Sequence, residues 1–226
     1  MTKNIKTKYA TPSVTVDAVI FTVVGGELKV LLIKRARSPF AGAAALPGGF
    51  LHSGETTRDA ALRILREKAG VQGVYVEQLY TFDEAGRDPR GQVFSVAHFA
   101  LVPSAKLALT SGGELQEPAL VATRRLPKLA FDHKKIVEYA VRRLQAKLEY
   151  TNLAFSLLPA EFSFADLQEL YEIVLGRKLD KRNFRKKILS LGIIKPVSGK
   201  TSGGRQRPAQ LFRFTKNKPS ELKKFM

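Results

Sequence analysis

The sequence predicts an α/β domain over residues 1–150, a linker at 151–160 and a small helix–helix–hairpin unit over 161–226. Three observations predict it. β-rich runs alternate with helical periodicity through the first 150 residues, two short capped helices and two further β-rich runs follow, and positive charge gathers in the second part. With 226 residues and 44% hydrophobic content the chain can bury a sizeable core, which excludes a disordered chain.

Residues 14–20 and 28–33 are β-rich and flank Gly25-Gly26, the pattern of a hairpin. A loop with Pro39, Gly42 and Pro47-Gly48-Gly49 follows. Residues 55–69 are good helix formers and stop at Gly70, where glycine tolerates a left-handed cap. Residues 74–82 and 93–102 read as strands around the turn-rich 83–91. Over 132–150, Ile136, Ala140, Leu144 and Leu148 recur at i, i+4, i+8 and i+12, the stripe of a long amphipathic helix.

In the second part, Ser163 and Asp166 form an S-x-x-D capping pair for a helix over 164–175. Its stripe is Leu167, Leu170, Tyr171 and Val174, and Gly176 stops it. A second helix starts after Asp180 as N-cap and runs to Leu191. Phe184, Ile188 and Leu191 share one face; at about 100° per residue, Arg182, Lys186 and Ser190 take the opposite one. Strands at 193–197 and 211–214 flank a glycine-rich basic loop at 198–207. This is the outline of a winged helix-turn-helix.

The chain carries a net charge of +18, unevenly spread. Residues 177–224 hold 16 basic and two acidic residues, a local net of +14. Basic side chains on one helix face with an apolar reverse point to a polyanion, and the outline favours double-stranded DNA. Lys181, Arg182, Asn183, Arg185 and Lys186 on the helix, with Lys200, Arg205 and Arg207 in the loop, supply the needed chemistry. Arg pairs with guanine edges, Asn with adenine edges, and Lys with phosphates. An aromatic sheet for stacking single-stranded RNA is not apparent.

The absence of cysteine removes disulfides and thiolate metal sites. His52, His98 and His133 are scattered, so no histidine metal site is expected. No apolar run reaches the ~20 residues of a membrane span, and no secretory signal is recognisable at the start. A cytoplasmic location is expected.

Gly49, Glu55, Arg63, Leu65, Glu67, Gly70 and Val71 match at seven spaced positions the pattern G-x5-E-x7-R-E-U-x-E-E-x-G-U, with U apolar. This segment resembles the Nudix box. The resemblance implies a Nudix α/β/α sandwich, whose members act on nucleoside diphosphates linked to another moiety. Two acidic positions are replaced, by Ile64 and Lys68. Glu67 with an apolar side chain and an ammonium is a poor set for Mg²⁺, which requires several hard oxygen ligands. Nothing in the spacing of Glu55, Glu114 or Glu117 restores a cluster. No metal, no cofactor and no hydrolysis are therefore expected; a Mg²⁺-dependent hydrolase of ADP-ribose-like nucleotides with a basic tail is the alternative, and a ligand-free dimerisation scaffold a third reading.

A degenerate site can still bind. Arg35, Arg37 and the backbone of Gly48 and Gly49 are suited to a diphosphate, as are Arg87 and Arg90 in a second basic turn. Phe82 is a candidate for stacking on a base, and Glu55, Arg63 and Glu67 complete the expected ligand set. Phe82 has an equally plain reading as a core residue, and Arg63 with Glu67 as a structural ion pair.

Beyond the box, Pro47-Gly48-Gly49-Phe50, Tyr80-Thr81-Phe82, Arg87-Asp88-Pro89-Arg90-Gly91 and Leu129-Ala130-Phe131-Asp132-His133 in the first part carry a wider likeness. Tyr171-Glu172, Leu179-Asp180-Lys181-Arg182-Asn183-Phe184-Arg185 and Arg207-Pro208-Ala209 carry it in the second. Over nearly its whole length the chain resembles the Nudix-related transcriptional regulators, the NrtR family. That resemblance implies a homodimeric repressor of NAD-metabolism genes that binds a palindromic operator and is released from it by ADP-ribose.

Overall fold

The computed structural model describes residues 11–107, 116–201 and 209–222. Strands β1 (Ser13–Val24) and β2 (Glu27–Lys34) pair antiparallel around Gly25 and Gly26, whose φ angles of 62° and 71° suit a two-residue hairpin turn. Short strands β3 (Ala44–Ala45) and β4 (Gly48–Phe50) lie in the loop that follows, β3 beside β2 and β4 antiparallel to the start of β1. Helix α1 (Thr57–Ala69) comes next, then β5 (Tyr75–Phe82) and β6 (Val93–Leu101), which pair antiparallel; β6 runs parallel to β1.

Strand β7 (Gln116–Ala122) pairs with β2 and is not foreseen from the sequence. Pro118 interrupts its pattern, and an edge position is where a strand accommodates a proline. Helix α2 (His133–Tyr150) closes the first half.

Two-residue periodicity in β1 sorts the core into two layers. Val16, Ala18 and Ile20 pack with Leu31 of β2 and with Ile64 and Leu65 of α1. Val19 and Phe21 pack on the other face with Val30, Leu32 and the α2 stripe Ile136, Ala140, Leu144 and Leu148, all four fully buried. The result is an α/β/α sandwich. Thr56 caps α1 by accepting from the Asp59 N–H at 3.1 Å, and Gly70 ends it at φ 62°.

The second half begins with a single 3-10 turn, Leu153–Ser156, followed by β8 (Phe162–Ser163), α3 (Phe164–Leu175), α4 (Lys181–Ser190), β9 (Ile194–Thr201) and β10 (Gln210–Phe214). The three strands form a sheet ordered β8-β10-β9. The capping box is formed in both directions: the Asp166 N–H donates to Ser163 Oγ at 3.2 Å, and the Ser163 N–H donates to the Asp166 carboxylate at 2.8 Å. Phe184 of α4 packs edge-on against Tyr171 and Phe164 of α3, and Phe164 against Phe212 of β10. This aromatic centre sets the angle of α4. A winged helix-turn-helix is the outcome.

Segment 151–160, expected as a linker, is packed. Leu153, Ala154 and Leu157 are buried in the core that also holds the α2 stripe and the aromatics of α3 and α4. Asn152 is 2% exposed; its side chain donates to the Lys218 carbonyl at 3.0 Å and accepts from the Ser220 N–H at 2.8 Å. The chain after β10 therefore returns to the end of α2. Among the described residues no helix is long and apolar enough to cross a membrane.

Because both halves share this core, Leu148→Ala is expected to lower stability by about 2–5 kcal/mol in one denaturant transition. Two separate transitions with only one displaced contradict a shared core.

Candidate ligand pocket and nucleic-acid interface

A cavity of about 130 Å³ opens where β1, β2, β4 and the start of α2 meet. Arg35, Gly48, Gly49, Arg87 and Arg90, all expected from the sequence, line it, together with Asp17, Phe50, Phe131 and His133, which were not. Arg35 directly follows β2; its Nε donates to the Pro39 carbonyl at 2.9 Å, and its guanidinium lies 4.6 Å from the centre of the Phe131 ring. Partial burial and the nearby Arg90 charge hold the Arg35 guanidinium below its usual value. Arg90 lies 5.1 Å from the Phe50 ring centre and 5.6 Å from that of Phe131, a cation–π arrangement. Its Nη2 donates to Asp88 at 2.6 Å, and this bond holds the Asp88 carboxyl below its ordinary value.

Phe131 and Phe40 touch edge to face at 4.9 Å, and both have left-handed backbones, with φ of 50° and 61°. Bulky residues seldom adopt this region, so packing around the pocket holds them there. Phe40 and Phe50 stay 46% and 45% exposed, leaving ring faces available at the rim.

Arg87 lines the cavity while its charge is held by a carboxylate. Its side chain is 4% exposed, and it donates twice to Asp132, at 3.0 and 2.6 Å. Asp132 stands at the α2 N-cap position without capping; its carboxylate is taken up by Arg87. Next to it, the Leu46 N–H donates to His133 Nδ1 at 2.9 Å, so the ring proton belongs on Nε2, which faces Asp17 Oδ1 at 3.6 Å. Burial pushes His133 below its ordinary value, which keeps it neutral. Ser95 donates to Asp17 at 2.6 Å. A Cβ on Gly48 would lie 2.2 Å from Asp17 Oδ1, so this glycine is required by the close approach of the carboxylate. Asp17 was legible only as a lone acid within an apolar strand.

The other expected ligand residues lie elsewhere. Phe82 packs against Tyr139 of α2 and Tyr80, a structural role. Arg37 is exposed in the loop after β2 and does not line the cavity. Arg63 donates to both oxygens of Glu55 at 2.8 and 2.9 Å and to the Phe50 carbonyl at 3.2 Å, while Glu67 is 3.7 Å from it. These three brace the box loop against α1. Ile64, at one of the replaced acidic positions, is 1% exposed and part of the core, because its side of α1 faces the sheet. With Glu55 bound to Arg63, the residues present do not fit a hard divalent cation. Among the described residues no three His, Asp or Glu side chains gather as a metal site. A larger cavity, about 450 Å³, lies at the seam of the two halves between β2, β7, α2 and α3, and none of the expected ligand residues line it.

On α4, Lys181, Arg182, Asn183, Arg185 and Lys186 are all exposed, opposite buried Phe184 and Ile188. The Asp180 side chain caps the helix, accepting from the Asn183 N–H at 2.8 Å. Arg185 lies 4.8 Å from the Phe164 ring centre, which draws it toward the start of α3. Lys200 is on β9; Arg205 and Arg207 lie outside the described residues.

Two predictions follow from these pairings. Asp132→Ala takes both short hydrogen bonds from Arg87 and leaves it only Asp17, at 3.8 Å. It is expected to cost about 1.5–3 kcal/mol in denaturant unfolding, the worth of a hydrogen bond to a charged group; a loss under about 0.5 kcal/mol contradicts the pairing. Arg63 holds the Glu55 carboxyl down at about 2 from an ordinary 4.5. A depressed carboxyl stabilises the fold above its unfolded value and loses that contribution as pH falls through its folded one. The stability gap between the wild type and Glu55→Gln should therefore narrow from pH 4.5 toward 2, and a constant gap would speak against the brace.

Comparison with known proteins accords with this architecture. Residues 13–140 match the NUDIX domain, and residues 154–214 match the NrtR DNA-binding winged helix domain. The ADPR responsive transcriptional repressor NtrR of Acinetobacter baylyi is 38% identical over 212 residues, 92% of this chain and 84% of its own. An ADP-ribose pyrophosphatase of Methanocaldococcus jannaschii is 38% identical over 134 residues, 59% of this chain and 76% of its own. Shewanella oneidensis NrtR, solved with a 27mer DNA, superposes at a TM-score of 0.78 with 33% identity, covering 89% of this chain and 93% of that one. Its separate NUDIX domain, solved with ADP ribose, superposes at 0.54 with 36% identity, covering 60% and 90%. With both halves matched in this order over most of its length, the chain belongs to the NrtR family of Nudix-related transcriptional regulators.

Proposed function

We propose that this protein is a cytoplasmic, homodimeric repressor of NAD-metabolism genes whose palindromic operator is released when ADP-ribose enters the Arg35–Arg90–Phe131 pocket. One observation carries the reading: an arginine-lined, aromatic-rimmed pocket is built at the start of α2, and the far end of α2 packs on α3, which carries the basic helix α4. The relatives support it, one named as ADPR responsive and one solved both with DNA and with ADP ribose.

The chemistry suits the ligand. Arg35 and Arg90, with the backbone of Gly48 and Gly49, can meet a diphosphate. Phe131 and the exposed faces of Phe40 and Phe50 can stack on a base. At about 130 Å³ the cavity is smaller than the ~300–1,000 Å³ of a full ligand site, so it seats one portion while the rest crosses the aromatic rim. Arg87 acts from below by positioning Asp132.

Helix α2 supplies the link. Its first residues are held by Arg87 and Leu46 at the pocket floor. Near its other end, the Gln145 side chain donates to the Val174 carbonyl in the last turn of α3 at 3.0 Å. A ligand that displaces Phe131 or Arg87 shifts the start of α2 and, through its end, the winged helices. A coupling of ~1–3 kcal/mol weakens DNA binding ~5–150-fold.

Hydrolysis is not part of this function. It requires hard oxygen ligands where Ile64 is buried and Lys68 stands. The likeness to the Methanocaldococcus jannaschii pyrophosphatase favours the second reading, a Mg²⁺-dependent hydrolase, which predicts release of AMP from ADP-ribose.

The test is selection of random duplex DNA by the purified protein at fixed salt, with and without ADP-ribose. An enriched palindrome released by ADP-ribose is expected; release of AMP with no enriched sequence contradicts the repressor. Replacing Arg182 and Lys186 by neutral residues should abolish operator binding and leave ADP-ribose affinity, measured by calorimetry, unchanged. An equal loss of both shows that the two sites are not separate.

A further inference from the structure

The outward face of α4 carries one side chain that charge does not explain. Leu189 is 46% exposed, although it lies on a helix whose apolar stripe, Phe184 and Ile188, is buried on the opposite side. At about 100° per residue it falls within roughly 60° of both Arg182 and Lys186, on the face expected to meet DNA. From Arg182 to Leu189 the helix advances about 10 Å, within the ~12 Å width of a major groove.

The neighbouring polar groups are engaged elsewhere or differ in chemistry. Ser190 Oγ donates to the Lys187 carbonyl at 2.8 Å, and Arg185 is stacked on Phe164. Arg182, Asn183 and Lys186 can pair with donors, acceptors or phosphates; Leu189 cannot. The major groove presents one apolar group, the C5-methyl of thymine. An apolar side chain set among cations on a groove-facing helix has that methyl as its complementary partner.

We infer that Leu189 is a specificity-determining residue that reads a thymine methyl in each operator half-site. This rests on the operator reading above. The contact is sequence-selective without a hydrogen bond, and it complements the base edges read by Arg182 and Asn183.

The test uses the full chain and the duplex that it selects. Each symmetric thymine pair is replaced in turn by uracil, which removes only the methyl, and affinities are measured for the wild type and Leu189→Ala. One pair should cost the wild type about fourfold per half-site, the value of one buried methyl, and cost Leu189→Ala nothing. On the all-thymine duplex, Leu189→Ala should lose a similar factor, with an unchanged melting temperature because the residue is exposed. If every uracil pair is silent in the wild type, or Leu189→Ala keeps the same uracil sensitivity, the inference is overturned. If the wild type selects no sequence, the DNA reading fails and takes this inference with it; selection with intact uracil sensitivity in the variant overturns the inference alone.

Discussion

The buried pair between Arg87 and Asp132 holds this structure in its working arrangement. Both side chains are under 10% exposed, and each needs the other, because an ion removed from water without a partner is costly. The pair fastens the turn after β5 to the first turn of α2, and in doing so shapes the floor of the pocket. Asp132 gives up its role as a helix cap to make it. Phe131, immediately before, is left with a positive φ and its ring in the pocket. The pocket proposed for the ligand and the helix that runs to the DNA-binding half are therefore one piece of chain.

From that piece the two halves acquire their relation. The α2 stripe is buried in a core continuous with Tyr171, Phe184 and Phe212, so the winged helix is seated on the sandwich. The seam is not closed everywhere: a cavity of about 450 Å³ lies between the halves, beside the Gln145 contact to α3. The Nudix site keeps its brace, Glu55 with Arg63, while the acidic positions that would hold a metal are a core isoleucine and a lysine.

Much of this was legible in the sequence because it depends on local rules. Capping at Ser163 and Asp180, the left-handed ends at Gly70 and Gly176, and the α2 stripe need only neighbours three or four residues away. The box spacing located α1, and the basic face of α4 followed from its apolar reverse. What escaped depends on distant contacts. Strand β7 was hidden by Pro118. The pairing of Arg87 with Asp132 was not foreseen, because the two are 45 residues apart. Phe82 was expected at the pocket, but α2 covers it through Tyr139. That Ile64 is a core residue follows only once α1 lies on the sheet. Asp17, Phe131 and His133 come together only when β1 and the start of α2 are side by side.

The central claim is that the pocket and the recognition helix are thermodynamically linked through α2. Linkage is reciprocal: if ADP-ribose weakens DNA binding by some factor, DNA must weaken ADP-ribose binding by the same factor. The most direct measurement is therefore the ADP-ribose affinity of the free protein and of the protein saturated with its selected duplex, at one salt concentration. A weaker affinity on DNA, by the factor seen in the reverse experiment, is the predicted result. Equal affinities in the two states would show that the ligand does not distinguish them, and the account of an effector-released repressor would be wrong.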